Sequence, residues 1–156
     1  MNAETQAEEL LRERAALLRR AEGVEAELLR LRPADDLWSI IEVLAHLIEV
    51  DRHWLRQALA LRNDAQHVFV PFDDERWKRE HPAARAAELS AVRAALDASH
   101  RAVVETLLGL TPEELLRSGR HPRGHAYTVA DVFQRFPEHD RNHARQIAAI
   151  REQLRA

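Results

Sequence analysis

The sequence predicts an all-α protein: a four-helix bundle with a long crossover loop and one short extra helix. Three observations carry this. Alanine, leucine, arginine and glutamate dominate the 156 residues, and all four favour helix. Four glycines and six prolines are too few for a turn-rich sheet or a disordered chain. Apolar residues recur with helical spacing in four separate runs. The whole chain, residues 1–156, is long enough for one domain with a substantial core and no staples.

The first helix is expected over residues 3–31, where Leu10, Leu11, Leu17, Leu18, Val24, Leu28 and Leu31 recur. Pro33 breaks it, and Asp35 and Asp36 open a second helix over residues 36–61 with acid at its positive end. That helix carries Leu37, Ile40, Ile41, Leu44, Leu47, Ile48, Trp54, Leu55 and Leu59 as its apolar set. Residues 62–82 hold two prolines, paired aspartates and three aromatics, so they read as a structured crossover with at most a turn of helix. Pro82 opens the third helix, which stops at Gly109. Thr111, Pro112 and Glu114 fit the start of a short helix that ends near Ser118 and Gly119. A basic loop, RHPRGHAY, follows, and Thr128 with Asp131 caps the last helix, over residues 129–154. Pro137 interrupts that helix. Apolar spacing continues across it, which favours one bent helix over a fresh start at Pro137. The connectivity is either antiparallel or up-down-down-up.

Composition also excludes function classes. Twenty-six acidic and 23 basic side chains leave a formal charge of -3, which gives no reason to expect nucleic acid as a partner. With no cysteine there is no disulfide, thiolate ligand or cysteine nucleophile, in keeping with a reducing, cytoplasmic setting. The start MNAETQAEEL is too acidic and polar for a signal peptide, and no apolar run approaches the ~20 residues that cross a membrane. A Gly-rich phosphate loop, a dinucleotide fingerprint, HExxH and GxS-type elbows are all missing.

What remains is histidine. His139 and His143 lie one helical turn apart and share a face. His46 lies in the second helix between Leu44 and Leu47, where an unpaired imidazole is costly. Two imidazoles from one helix and one from another can hold a divalent metal and leave positions for water and a small-molecule substrate. The bland alternative is a set of packed core histidines. Zinc suits three neutral imidazoles first, and nickel and iron also suit them. His53, two turns past His46, is a candidate catalytic group for proton transfer, against a plain boundary role. Glu42, one turn before His46, is a candidate for orienting a ring or a water, and Gln146 for the pocket rim. Asp140 points about 100° away from His139 on the helix and is a weak ligand candidate. Arg141 and Arg145 read as a solvated face with Glu138 and Glu152. Arg120, His121, Arg123 and His125 in the basic loop face an anionic cosubstrate or only solvent.

Taken together, LAHLIEVDRHW within Trp38 to Trp54, the Asp73 to Trp77 segment and HDRNHARQI resemble the DinB-like superfamily, over about residues 10–153. The resemblance implies an up-down-down-up bundle, a divalent metal at one end held by His46, His139 and His143, and frequent dimerisation, which exposed leucines on the first helix would suit. It also implies relatives that activate a low-molecular-weight thiol, such as bacillithiol or mycothiol, for transfer to a small electrophile. Pro137 departs from the family pattern. The expected activity is thus thiol S-transfer; the alternatives are hydrolysis by metal-activated water and a non-catalytic interaction protein.

Overall fold

The structure, a computed structural model, describes residues 2–155. Its long helices are α1 (Ala3–Ala21), α3 (Ile40–Asn63), α5 (Leu89–Gly109) and α7 (Val129–Arg155). Short helices α2 (Ala26–Arg30), α4 (Asp74–Glu80) and α6 (Pro112–Leu116) and a 3₁₀ turn (Pro82–Ala86) join them.

The core shows how the helices run. One apolar cluster takes Leu10 of α1, Trp54 and Leu61 of α3, Val103 and Leu107 of α5, and Val132, Phe133 and Phe136 of α7. The other takes Leu17, then Ile40 to Ile48, then Val92 and Leu96, then Ile147 and Ile150. Thus α1 and α7 travel from the first cluster to the second, and α3 and α5 travel back. This is the up-down-down-up order, and it requires the long crossover between the parallel pair α3 and α5.

Where the clusters meet, polar side chains are placed on every long helix: Arg14 on α1, Asp51 on α3, Ser99 and His100 on α5, and His139, Asp140 and His143 on α7; His46 of α3 lies within the second cluster's stretch, one turn before Val50 of the first. The histidines therefore lie partway along the bundle rather than at its end, because α7 continues beyond His143 through buried Ile147 and Ile150.

Several boundaries differ from expectation, each for a local reason. Helix α1 stops at Ala21, not at residue 31, because Gly23 takes a left-handed φ of 71° that lets the chain turn into α2. The second long helix begins at Ile40, not at residue 36. Ser39 accepts from the Glu42 backbone while the Glu42 carboxylate accepts from Ser39. Leu37 is left 41% exposed, outside the core. Pro82 starts only the 3₁₀ turn, and α5 follows from Leu89. The crossover holds a full short helix, α4, capped by Asp73. The caps at Thr111 with Glu114 and at Thr128 with Asp131 form as expected. Helix α7 runs unbroken through a buried Pro137.

The basic loop is a hairpin, which the sequence reading did not expect. Strand β1 (Ser118–Arg120) pairs antiparallel with β2 (Ala126–Thr128), Gly119 facing Tyr127. Arg120 also exchanges backbone bonds with the crossover: its N–H donates to His67 O at 2.9 Å, and its carbonyl accepts from Phe69 N at 2.8 Å. The hairpin thereby pins the crossover to the bundle. Gly119 permits this approach, since a Cβ there would overlap His67 O and lie 2.6 Å from Leu61 Cδ2. Gly119→Ala should cost about 1–3 kcal/mol through overpacking. Urea unfolding at constant m-value measures it, and an unchanged midpoint would refute the packing assignment.

Candidate metal centre

The three sequence-predicted histidines converge. One ring nitrogen from each of His46, His139 and His143 lies within 4.8 Å of the others. On α7 the one-turn spacing brings His139 Nε2 to 2.9 Å from His143 Nε2. Both rings could turn these nitrogens toward one ion, which would take the place of their mutual contact. His143 Nδ1 donates to Gln146 Oε1 at 2.6 Å, which leaves Nε2 as an acceptor, facing His139 and available to an ion. His46 has no exposed surface, and neither of its ring nitrogens has a hydrogen-bond partner. An ion would satisfy one of these nitrogens; His100 is orphaned likewise but is not part of the converging set, so the convergence and not the orphaning alone marks the site. The donor set fits a divalent metal.

Electrostatics agree. Burial pushes the His46 pKa down to about 3 and the His139 pKa down to about 2; nearby His143 lowers both further. Burial lowers His143 too, against the pull of its bond to Gln146. All three are neutral near pH 7, as metal ligands must be. On α5, His100 is pushed down to about 4, by burial first and then by Arg14. In the unfolded chain these histidines return to about 6.5. Both states are neutral above that pH. Below it only the unfolded chain gains protons, so stability falls progressively toward pH 3–4. Asp140, raised by burial to about 6, works the other way between pH 6 and 4, as one group against several. Chelator-treated protein should therefore unfold at clearly lower urea at pH 5 than at pH 7, each histidine costing up to about 1.4 kcal/mol per pH unit. Equal midpoints would contradict the burial of neutral imidazoles.

Aromatic side chains form the wall. The His46 ring packs edge-on against Trp38 at 4.8 Å, Phe72 at 5.2 Å and Trp77 at 5.5 Å; His139 packs against Trp54 at 4.8 Å. A cavity of about 420 Å³ opens beside His139, lined also by Trp54, Phe72, Asp74, Arg135 and Asn142. A larger cavity, about 540 Å³, lies by the start of α1 and by α6; its wall is mostly leucine and proline, and no histidine lines it. Asp74, at the start of α4, places Oδ1 3.4 Å from His46 Nε2. Burial, then Glu75 and Asp73, raise its pKa.

Other expected positions fall elsewhere. The Glu42 carboxylate does not orient His46: it is taken by Ser39 and by both arms of Arg32, at 2.9 and 2.8 Å. His53 Nε2 lies 2.7 Å from Val70 O, so its ring holds the crossover, and it is not one of the converging donors. Asp140 turns away from the cluster and binds Arg14. Arg141 pairs across to Glu9 and Glu13 of α1 rather than to Glu138 or Glu152. None of Arg120, His121, Arg123 or His125 lines the cavity; His121 and His125 stack on each other at 4.5 Å.

The sequence reading missed Asp74, Arg135 and the Arg14 network. A signal existed for Arg14, which stands in the apolar stripe between Leu10 and Leu17. Asp74 lies in the Asp73 to Trp77 segment that carries part of the family resemblance, but nothing in the sequence singled out its carboxylate.

Bundle order and histidine cluster together define a class: up-down-down-up helical proteins in which three imidazoles converge closely enough to hold a metal ion. The chain belongs to the DinB superfamily, whose family model matches residues 9–147. A protein of Bacillus mycoides (strain KBAB4) named "Putative metal-dependent hydrolase" is 25% identical over 118 residues, 75% of this chain and 66% of that one. A protein of the same description from Bacillus cereus (strain B4264) matches to the same extent. The chain thus spans just under two thirds of the length of these curated relatives. Among solved structures, YfiT from Bacillus subtilis, described as "a probable metal-dependent hydrolase with an unusual four-helix bundle topology", superposes with a TM-score of 0.80 at 21% identity, over 97% of this chain and 87% of that one. The mycothiol-dependent maleylpyruvate isomerase superposes with a TM-score of 0.75 at 9% identity, over 94% and 61%. Both likenesses are of fold.

Proposed function

We propose that this chain is a metal-dependent hydrolase acting on a small molecule, with His46, His139 and His143 as ligands and zinc as the first choice of ion. The observation that carries the reading is the convergence of three neutral imidazoles, one with both nitrogens orphaned, beside an open cavity. The names of the curated relatives support hydrolysis over thiol transfer. So does Asp74, a carboxylate on the cavity wall placed to take a proton from water. A divalent ion in such a site supplies Lewis acidity and lowers the pKa of water toward neutrality.

The chain's own residues do the rest. Gln146 fixes the His143 tautomer. Trp38, Phe72 and Trp77 shield His46 from bulk water, and Trp54 packs against His139. Asp74 holds the proton at its carboxylate.

Zinc-loaded, untagged protein assayed against ester and amide panels tests the proposal. Turnover indifferent to added thiol is the expected result. Turnover only with bacillithiol or mycothiol would replace hydrolysis by the S-transfer that the family resemblance implies.

The proposed setting is a cytoplasmic homodimer. No described helix is long and apolar enough to cross a membrane, and Leu11 on α1 is 52% exposed. Sedimentation of the purified protein decides the oligomer.

A further inference from the structure

Arg135 lies one turn before His139 on α7, on the same face, and lines the same cavity. Its guanidinium carbon sits 5.0 Å from the Trp54 ring centroid and 4.9 Å from that of Phe69. One guanidinium nitrogen donates to Tyr127 Oη at 3.1 Å, and Nε is buried without an acceptor. Among the described residues no carboxylate comes within ion-pair distance of it. Two acids on its own helix were available. Asp131 is used in capping Thr128, and Glu138 lines the cavity without pairing to it. A cation packed on two aromatic rings, with its fork unmatched by any acid, is organised for an anion from outside.

We propose that Arg135 receives a carboxylate carried by the substrate, so that this site acts on small carboxylate-bearing molecules whose reacting group lies toward the histidines. The proposal rests on the metal-site reading above. It also gives the hairpin a part: Tyr127 of β2 and Phe69 of the crossover hold the guanidinium together with Trp54 of α3. The remaining charges set a condition. Asp74 and Glu138 outnumber Arg135 on the cavity wall, and a divalent ion on neutral imidazoles reverses that balance. Anion binding should therefore require the metal.

Two hydroxamates test this by calorimetry on zinc-loaded protein. Butyrohydroxamate and succinic acid monohydroxamate share a metal-binding head and a chain length, and differ in ending as methyl or carboxylate. Wild type should bind the carboxylate form about tenfold or more tightly than the methyl form. Arg135→Met should abolish or reverse that preference while zinc affinity holds, and Arg135→Lys should retain part of it. Equal binding of the two probes by wild type would overturn the proposal and leave the metal reading standing. So would an Arg135→Met protein that melts lower but keeps the preference, since Arg135 would then be only a tether. If neither probe binds the zinc-loaded protein, this proposal falls, while zinc titration of the same sample decides the metal reading separately.

Discussion

Arg14→Met should destabilise the protein by about 3–5 kcal/mol, the cost of stranding buried charge. Arg14 is 3% exposed in the middle of the bundle. Its Nε donates to Asp140 Oδ2 at 2.8 Å, and its two terminal nitrogens donate to both oxygens of Asp51 at 3.0 and 2.8 Å. Ser99 Oγ adds a bond to Asp51 at 2.7 Å. One guanidinium thus ties α1 to α3 and α7, with α5 attached through Ser99. Methionine fills the space of the stem but leaves two carboxylates buried without a cation. Replacing Asp51 and Asp140 by asparagine in the Arg14→Met background should recover part of the loss, because the uncompensated charge goes too. Urea unfolding of the single and triple variants checks both statements. A single-variant loss under 1 kcal/mol would show that water or local movement relieves the charges.

The second large effect concerns His46. His46→Leu should remove metal binding while leaving the metal-free protein at least as stable as metal-free wild type. The imidazole is buried with both nitrogens unpaired, a desolvation cost of about 1–3 kcal/mol that leucine does not carry. A histidine retained for packing would give the opposite pattern: a destabilised variant and no change in metal content. Gln146→Leu should weaken binding less, by about 10–100-fold, since it removes only the group that orients His143. Metal titration together with urea unfolding of chelator-treated protein separates these outcomes.

Much of the fold was legible because it rests on local signals. Apolar periodicity marks all four long helices, and Thr111, Pro112 and Glu114 mark the short α6. What escaped was governed by single contacts made far along the chain. Gly23 ends α1 inside a run whose leucines keep helical spacing, so periodicity could not reveal the turn. The hairpin forms because Gly119 meets the His67 carbonyl, more than 50 residues away. The histidine cluster was legible in part. His139 and His143 declare themselves by spacing, whereas His46 is brought to them only by the crossing of α3 and α7. Glu42 misled because a carboxylate one turn from a histidine is equally a capping-box residue, and Ser39 claims it. Asp74 and Arg135 escaped for the converse reason. An acid beside a cap and an arginine on a charged helix are ordinary in sequence, and only the folded chain puts them on one cavity wall.

Elemental analysis of protein purified without an affinity tag or chelator tests the central claim, that three imidazoles from two helices hold one ion, most directly. One divalent ion per chain is expected, absent from the His139→Ala protein. No bound metal in wild type, even after incubation with zinc, nickel or iron, would contradict it.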